Sequence, residues 1–328
     1  MNRVESHDDA GSAAGSRAAA GPSARRWVTS AVVAALLVAM AMHLSTRSEE
    51  LAGIGRVPVR VLLATCLLQF LSQLCLNGSF LLPLRSCVTA LGFWELQLVR
   101  TGGWLVGSLV PVAGGLAVRL AYLKGRGLTY LDFAWATLLS NMLALVAAAL
   151  LAAAATAGLW ATTGPPPLPI VVMSAVVLAA SLAVLAAFEL APRLTRGARL
   201  ERWRALSNMR SLKTTDRRMA TSVFMLSLLR HLLNFATFGL LTQSLSGVPR
   251  DFLAGGLVYV LTSPLRMVNI TPGNLGIIEW VVALTGKTLA IDLALGLLAA
   301  LVFRGVGLVG QGLAVLVGSA WLGAASRR

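Results

Sequence analysis

The chain has 328 residues, of which 57% are hydrophobic and 12% are charged, and its mean hydropathy is +0.77. These values exclude an ordinary soluble globular domain, which carries about twice that share of charge. The net charge of +15 would suggest nucleic-acid binding in a soluble protein. Here the basic residues cluster between apolar segments, as on the cytoplasmic side of membrane proteins, so we expect no nucleic-acid partner.

Six apolar segments are long enough to cross a bilayer as helices, which takes about 20 residues. Residues 1–24 are small and polar without apolar periodicity, which predicts a disordered cytoplasmic tail. No small-residue cleavage site follows the first apolar segment, so we interpret that segment as a retained span and not as a signal peptide. The predicted full spans are residues 27–44, 57–82, 133–160, 168–190, 219–246 and 289–321.

Two further apolar regions, residues 96–123 and 252–287, are interrupted by glycine, proline and charge. Each contains two short hydrophobic pieces. Broken segments survive at membrane depth only where protein or a wet cavity satisfies the freed backbone groups. We therefore predict two re-entrant regions within an all-α, polytopic bundle of about six full spans, which forms one transmembrane domain over residues 25–323.

The distribution of lysine and arginine predicts the orientation of the chain. Residues 191–218 carry nine basic and two acidic residues, whereas residues 161–167 carry no charge. The excess of basic residues on cytoplasmic loops places residues 191–218 inside and residues 161–167 outside. Both termini are then cytoplasmic. The first interrupted region is entered from the cytoplasm and the second from the outside.

The two interrupted regions also resemble each other in sequence. GGLAVR ends at Arg119 and is followed thirteen residues later by Asp132, and NLGIIE ends at Glu279 and is followed thirteen residues later by Asp292. The copies are 160 residues apart with three predicted spans between them, and an odd number of spans inverts the second copy. Because inverted repeats that meet through broken helices are typical of transporters, this spacing predicts an inverted repeat.

The second interrupted region carries residues suited to binding a polar group. Pro272 and Gly273 predict the start of a short helix with Gly276 and Glu279 in its first turns. A helix N-terminus can hold an anion such as phosphate, and the two glycines would let a head group approach the backbone. Glu279 is suited to pairing with a cationic group or with a buried arginine.

The first interrupted region offers a matching helix start at Pro111, Gly114 and Gly115, with Arg119 in place of the carboxylate. Arginine suits phosphate or carboxylate better than lysine because its planar fork binds through two donors. Further arginines lie inside apolar segments, where they either face the interior of the bundle or extend to the head-group layer. These candidates are Arg230, Arg266 and Arg304.

Other polar residues are more typical of structure than of chemistry. Asp132 and Asp292 stand where helices should start, and we expect them to act as caps. His231 is expected to be a satisfied interior group, with proton coupling as the alternative. Glu95 is either a site residue or a water-exposed residue of an interfacial helix. The sequence has no Walker loop, GxSxG motif or metal-ligand spacing, so we expect no enzymatic activity, cofactor or metal.

Together these motifs resemble those of the lysylphosphatidylglycerol synthase transmembrane family, the flippase-like domain of bacterial multiple-peptide-resistance proteins. The most specific match is PG-x-x-G-x-x-E, formed by Pro272, Gly273, Gly276 and Glu279, and the second is the Pro/Gly break before Arg119. The resemblance covers about residues 30 to 320. It implies a multi-pass protein of the bacterial cytoplasmic membrane that moves a lipid or lipid-linked head group between leaflets.

Two departures from the family pattern concern the ion pairing of the site. Leu116 stands where a glutamate is frequent, and Ser140-Asn141 stands where a Glu-Arg pair is frequent. We therefore expect the substrate or the ion pairing to differ. We expect no soluble aminoacyl-transferase domain in this protein, so the resemblance does not imply lipid aminoacylation.

The resemblance allows several lipid substrates: an anionic or zwitterionic phospholipid, a hopanoid or a polyprenyl-phosphate-linked sugar. The alternative function is a non-transporting membrane scaffold that presents lipid to a glycosyltransferase or another lipid-modifying enzyme. Such a partner would dock on the basic loop at residues 191–218. The sequence leaves the energy source, direction and oligomeric state open.

Overall fold

The computed structural model describes residues 57–87, 91–109, 114–194, 216–267 and 276–325, together with Val38, Met42 and Gly55. The regular elements of these ranges are all helical, which confirms the all-α class. A short 3₁₀ turn, Ser263–Met267, follows the seventh α-helix. From residue 57 onward the described α-helices are α1 (Val59–Arg85), α2 (Phe93–Leu109), α3 (Gly114–Gly125), α4 (Tyr130–Thr163), α5 (Leu168–Leu194), α6 (Arg217–Ser246), α7 (Asp251–Thr262), α8 (Ile277–Thr288) and α9 (Leu293–Ala325).

Four of the described helices, α1, α4, α6 and α9, are long and apolar enough to cross a membrane. Each overlaps a predicted full span, and the ends differ from the prediction by at most four residues. Helix α5 overlaps the predicted span at residues 168–190, although the apolar part that is described, Leu168–Ala183, is shorter than a full span. The predicted tail and the predicted span at residues 27–44 lie outside the described residues, except for Val38 and Met42.

The first interrupted region forms two short helices, α2 and α3, that pack as an antiparallel pair. A Cβ atom added to Gly103 would lie 2.7 Å from the carbonyl oxygen of Gly115, so this approach requires glycine. Towards the other end of the pair, the Tyr122 hydroxyl donates a hydrogen bond to the Glu95 carboxylate. We call α2 and α3 the first hairpin. Pro111 lies between its helices, outside the described residues.

The second interrupted region also forms two short helices, α7 and α8, with the 3₁₀ turn after α7. Val258 and Tyr259 of α7 share one buried cluster with Ile278 and Val282 of α8. We call α7, the 3₁₀ turn and α8 the second hairpin. The predicted pairs of short pieces are therefore present. Their re-entrant placement in a bilayer and their inverted relation stay predictions.

Helix α6 packs along α1 through a buried polar contact. The Gln69 amide donates to Asn234 Oδ1 at 2.8 Å, and the Asn234 amide donates to Ser72 Oγ at 2.7 Å. Helix α9 approaches the same place, because a Cβ atom added to Gly310 would lie 2.9 Å from Gln69 Cβ. We call α1, α6 and α9 the three-helix frame. Its close contacts depend on hydrogen-bonded amides and on a glycine rather than on apolar packing alone.

Both interrupted regions end with the same order of elements. A 12-residue helix, α3 or α8, is followed by a four-residue turn and then by a long helix, α4 or α9. The start of α8 follows that of α3 by 163 residues, and the start of α9 follows that of α4 by the same number. The sequence match gave a separation of 160 residues. When the helices are matched in this order, Glu279 corresponds in position to Leu116, whereas the sequence match pairs it with Arg119.

The helix caps explain this shift of three residues. Thr129 precedes α4, and its hydroxyl accepts a hydrogen bond from the Asp132 N–H at 3.1 Å. Asp292 precedes α9, and its carboxylate accepts one from the Ala294 N–H at 2.8 Å. Asp292 is thus confirmed as a cap, whereas Asp132 lies within the first turn of α4 and Thr129 is the cap. Both threonine and aspartate can cap a helix, so a match of the two aspartates does not match the two caps.

Candidate functional site

Glu279 lies in the interior of the protein at the start of α8, with 1% of its surface exposed. Its Oε2 accepts a hydrogen bond from the Gly276 N–H at 2.8 Å, which satisfies a backbone donor at the helix start. Gly276 has a φ of 82°, a conformation that favours glycine. The helix begins at Ile277 and not at the predicted Pro272 and Gly273, which lie outside the described residues.

The other oxygen of Glu279 pairs with an arginine of a spanning helix. Arg304 Nε lies 2.9 Å from Glu279 Oε1, so a half-buried arginine of a spanning helix is the partner that the structure contains. Arg304 follows the start of α9 by 11 residues, about 17 Å along the helix axis. This position is about a third of the way along a helix of 33 residues. The ion pair therefore joins the second hairpin to the interior of a spanning helix.

Arg266, in the 3₁₀ turn, lies beside this ion pair. Its guanidinium carbon is 5.3 Å from the ring centres of both Tyr259 and Phe303, a distance at which the faces of aromatic rings attract a cation. Its Nε is buried without a hydrogen-bond partner among the described residues. Glu279 attracts the Arg266 guanidinium and Arg304 repels it. The second hairpin thus brings two predicted arginines to Glu279.

Arg230 lies 13 residues after the start of α6 and 16 before its end, so about 20 Å of helix separates it from either end. It is within electrostatic range of Arg266 on one side and of Arg100 on the other. The neighbouring His231 is 1% exposed, and neither ring nitrogen has a hydrogen-bond partner in the described part of the chain. His231 is thus an interior group, as predicted, and its hydrogen-bond partner stays a prediction.

The first hairpin contributes Arg119 and a second arginine that sequence reasoning missed. Arg119 Nε donates to the Gly115 carbonyl at 3.1 Å, within α3. Arg100 of α2 lies with its guanidinium carbon 4.6 Å from the centre of the Phe80 ring, and its Nε is buried without a partner in the described ranges. Arg100 repels both Arg119 and Arg230. Arg100 lies inside the interrupted region at residues 96–123, and this position could have identified it as a candidate site residue.

Glu95 repeats the local geometry of Glu279 at a more exposed place. Its Oε2 accepts a hydrogen bond from the Gly92 N–H at 3.2 Å, and its Oε1 contacts the Tyr122 hydroxyl and the Arg126 guanidinium. The Glu95 side chain is 17% exposed and that of Arg126 is 44% exposed. The hydrogen bond to Tyr122 and the Glu95 charge raise the pKa of Arg126. Glu95 thus ties the ends of the first hairpin together and is not freely exposed to water.

The predicted site residues form two groups, and the charge of Arg230 interacts with an arginine of each group. One group holds Arg119 with the unpredicted Arg100, and the other holds Arg266, Arg304 and Glu279. Gly114 begins α3 and Gly115 lies in the contact between the helices of the first hairpin, while Pro111, Pro272 and Gly273 fall outside the described residues. In the described part of the chain no group of histidine, cysteine and carboxylate side chains could hold a metal ion.

Fold and site together define an integral membrane protein with a charged interior. Four described helices can cross a membrane, and Arg230 and Arg304 lie deep within two of them. Ionisable residues at such depth face the interior of a bundle and not lipid. Five arginines and one carboxylate of the described residues belong to this interior site.

Comparison with known proteins agrees with this class. Residues 27–314 match the family described as Lysylphosphatidylglycerol synthase TM region, and the chain belongs to this family. The resemblance of the motifs is thereby confirmed over most of the chain. No curated protein and no solved structure matches the chain.

Proposed function

We propose that the protein is a lipid flippase of the bacterial cytoplasmic membrane. The polar head group of the lipid passes through the interior beside the arginines and Glu279, while the acyl or prenyl tails stay in the bilayer. The observation that carries the proposal is the set of partly buried arginines within the helical bundle, two of them in spanning helices. Four of them, Arg100, Arg119, Arg230 and Arg266, form no ion pair with a described carboxylate.

Unpaired arginines in such positions would be costly in a purely structural bundle. Inserting an arginine at the centre of a membrane helix costs about 2.5–3.5 kcal/mol on biological insertion scales. Partial burial of four such groups lowers stability unless water or a ligand solvates them. A path for polar head groups supplies both, because it is hydrated when empty and holds an anionic group when occupied.

In the proposed mechanism the two hairpins are the parts of the protein that move. We treat both as re-entrant and as inversely related, so that one is entered from each side of the membrane. The start of α8 at Ile277 provides a helix N-terminus whose backbone N–H groups bind the head group, and Pro272, Gly273 and Gly276 precede it in the sequence. Glu279 then acts as the internal counter-ion of Arg304 and Arg266 when no head group is present.

The proposal extends to topology and partners. The basic loop at residues 191–218 faces the cytoplasm, both termini are cytoplasmic, and membrane lipid is the ligand. Translocation needs no bond to be made or broken by the protein. The proposed function is therefore transport and not enzymatic catalysis.

A leaflet-resolved assay of fluorescent lipid tests the function. The full chain is reconstituted into proteoliposomes that carry a nitrobenzoxadiazole-labelled phospholipid, and dithionite reduces the label in the outer leaflet only. We expect complete loss of fluorescence with wild type and about half that loss in empty liposomes. Glu279→Gln and Arg119→Ala should slow the protein-dependent phase at least tenfold.

Arg250→Gln is the matched control, because this arginine is exposed at the start of α7 and should leave the rate unchanged. Equal rates in Glu279→Gln, Arg119→Ala and wild type would contradict the proposed path. If purified protein moves no lipid, and charge reversal in the loop at residues 191–218 releases a lipid-modifying enzyme from it, the scaffold function replaces the proposal.

A further inference from the structure

Arg100 and Arg119 lie at the same level of the first hairpin, one on each helix. The antiparallel contact of Gly103 with Gly115 brings residue 100 opposite residue 119. Phe93 of α2 and Leu226 of α6 line one groove, and Arg230 follows Leu226 by one helical turn, so α6 brings a third guanidinium towards this pair. We call Arg100, Arg119 and Arg230 the arginine triad.

The arginine triad has no carboxylate counter-ion among the described residues. Arg119 donates to a backbone carbonyl, and Arg100 lies over the Phe80 ring with its buried Nε unpartnered. The second hairpin differs, because Glu279 neutralises part of its charge. The position of the first hairpin that corresponds to Glu279 is Leu116, a side chain that is 44% exposed and carries no charge.

Three guanidinium groups without a counter-ion favour a multivalent anion. Repulsion between like charges is strong where the dielectric constant is low, and an anion bound between them converts it into attraction. A phosphate ester offers several oxygen acceptors around one centre, which suits the planar forks of more than one arginine. A single carboxylate has only two oxygens and one charge to share among three cations.

An apolar groove beside the arginine triad favours a lipid as the source of this phosphate. The groove is open, has a volume of about 370 Å³, and is lined by α1 and α6 side chains that include Leu74, Cys75 and Leu226. Leu226 lies one helical turn before Arg230 on the same face of α6, so the groove extends to the neighbourhood of Arg230. A tail that lies in this groove places the phosphate of its head group next to the arginines.

We propose that the arginine triad is the phosphate subsite of the transport path and selects lipids whose head groups carry net negative charge. Arg100 is the specificity-determining residue, since it adds a third cation and keeps a buried donor free. The inference rests on the proposed function and narrows its substrate class. A zwitterionic head group brings an ammonium towards three guanidinium groups, and inorganic phosphate lacks a tail for the groove.

Binding to the full chain in detergent tests this subsite independently of transport. Microscale thermophoresis compares short-chain phosphatidylglycerol, short-chain phosphatidylethanolamine and inorganic phosphate. We expect phosphatidylglycerol to bind at least tenfold more tightly than either of the others. Arg100→Gln should weaken its binding at least tenfold, and Arg100→Lys should weaken it less, because lysine keeps the charge but loses the fork. Arg250→Gln, the exposed control, should leave it unchanged.

Several outcomes would overturn the proposal. Equal affinity for the two lipids, or unchanged affinity in Arg100→Gln, removes the anionic specificity. Inorganic phosphate that binds as tightly as phosphatidylglycerol assigns the triad to a soluble anion. If Arg100→Gln aggregates on size-exclusion chromatography, Arg100→Lys decides, and wild-type affinity there contradicts the role of the fork. Selective binding without leaflet transfer refutes only the proposed function, and transfer without anionic preference refutes only the subsite.

Discussion

Replacing Glu279 by glutamine removes the charge of the Glu279–Arg304 pair while it keeps the shape of the side chain. The glutamine carbonyl can still accept the hydrogen bond from the Gly276 N–H, although a neutral acceptor makes this bond about half as strong. The main loss is therefore the attraction between the two charges. A double-mutant cycle with Arg304→Gln isolates this attraction from the effects of each single change.

The structure sets the expected size of this coupling. Two unit charges about 4 Å apart attract each other by about 4 kcal/mol at an effective dielectric constant of about 20. The Glu279 side chain is 2% exposed, but that of Arg304 is 28% exposed, so water screens the pair from one side. We therefore expect a coupling of about 2 kcal/mol, with the double variant more stable than the sum of the single losses implies.

Unfolding in mixed micelles, with SDS as denaturant and circular dichroism as readout, measures the free energies of the cycle. The matched control is the cycle of Glu95→Gln with Arg126→Gln, since Glu95 makes the same contact with a glycine N–H three residues earlier. Its pair is more exposed, and its coupling should be smaller. Coupling of Glu279 to Arg304 below about 0.5 kcal/mol, or equal coupling in both cycles, would refute the reasoning.

Two further predictions concern packing. Gly103→Ala should lower the midpoint of thermal unfolding in detergent, because its Cβ would lie 2.7 Å from the Gly115 carbonyl oxygen. Gly102→Ala is the control and should keep or raise the midpoint, because no atom lies within 4 Å of its new Cβ. Equal midpoints in the two variants would contradict the close contact in the first hairpin. Gln69→Leu should lower the free energy of unfolding in SDS by about 1–3 kcal/mol, because it leaves the buried Asn234 carbonyl without its donor. Adding Asn234→Leu should restore part of this loss. A double variant whose loss equals or exceeds the sum of the single losses would contradict this coupling.

The sequence predicted the helical class, the spans at four described positions and the place of both interruptions. These features depend on hydropathy and on proline and glycine, which act locally. It also predicted that Glu279 is suited to a buried arginine, but it could not choose Arg304 among the candidates. That choice depends on how α8 meets α9, and no pattern along the chain encodes this contact.

Two differences between the sequence reasoning and the structure have a common physical cause. Arg100 was missed because LQLVR is equally typical of the end of an interfacial helix, and only the pairing of α2 with α3 places it opposite Arg119. The predicted register of the repeat differs by three residues from the order of the helices, because Thr129 and Asp292 cap their helices with different side chains. In both cases the interaction is a contact between groups in the folded protein, and a comparison of residue types along the sequence does not show it.

The division of the charges between the frame and the hairpins has a mechanical consequence. Arg230 and Arg304 belong to helices that amide hydrogen bonds and a glycine contact clamp together, whereas Arg119 and Glu279 belong to short helices. In the proposed transport we expect the frame to stay fixed while each short helix moves as a unit about its four-residue turn. Such a movement would change the distances between the arginines and Glu279 without displacing a spanning helix.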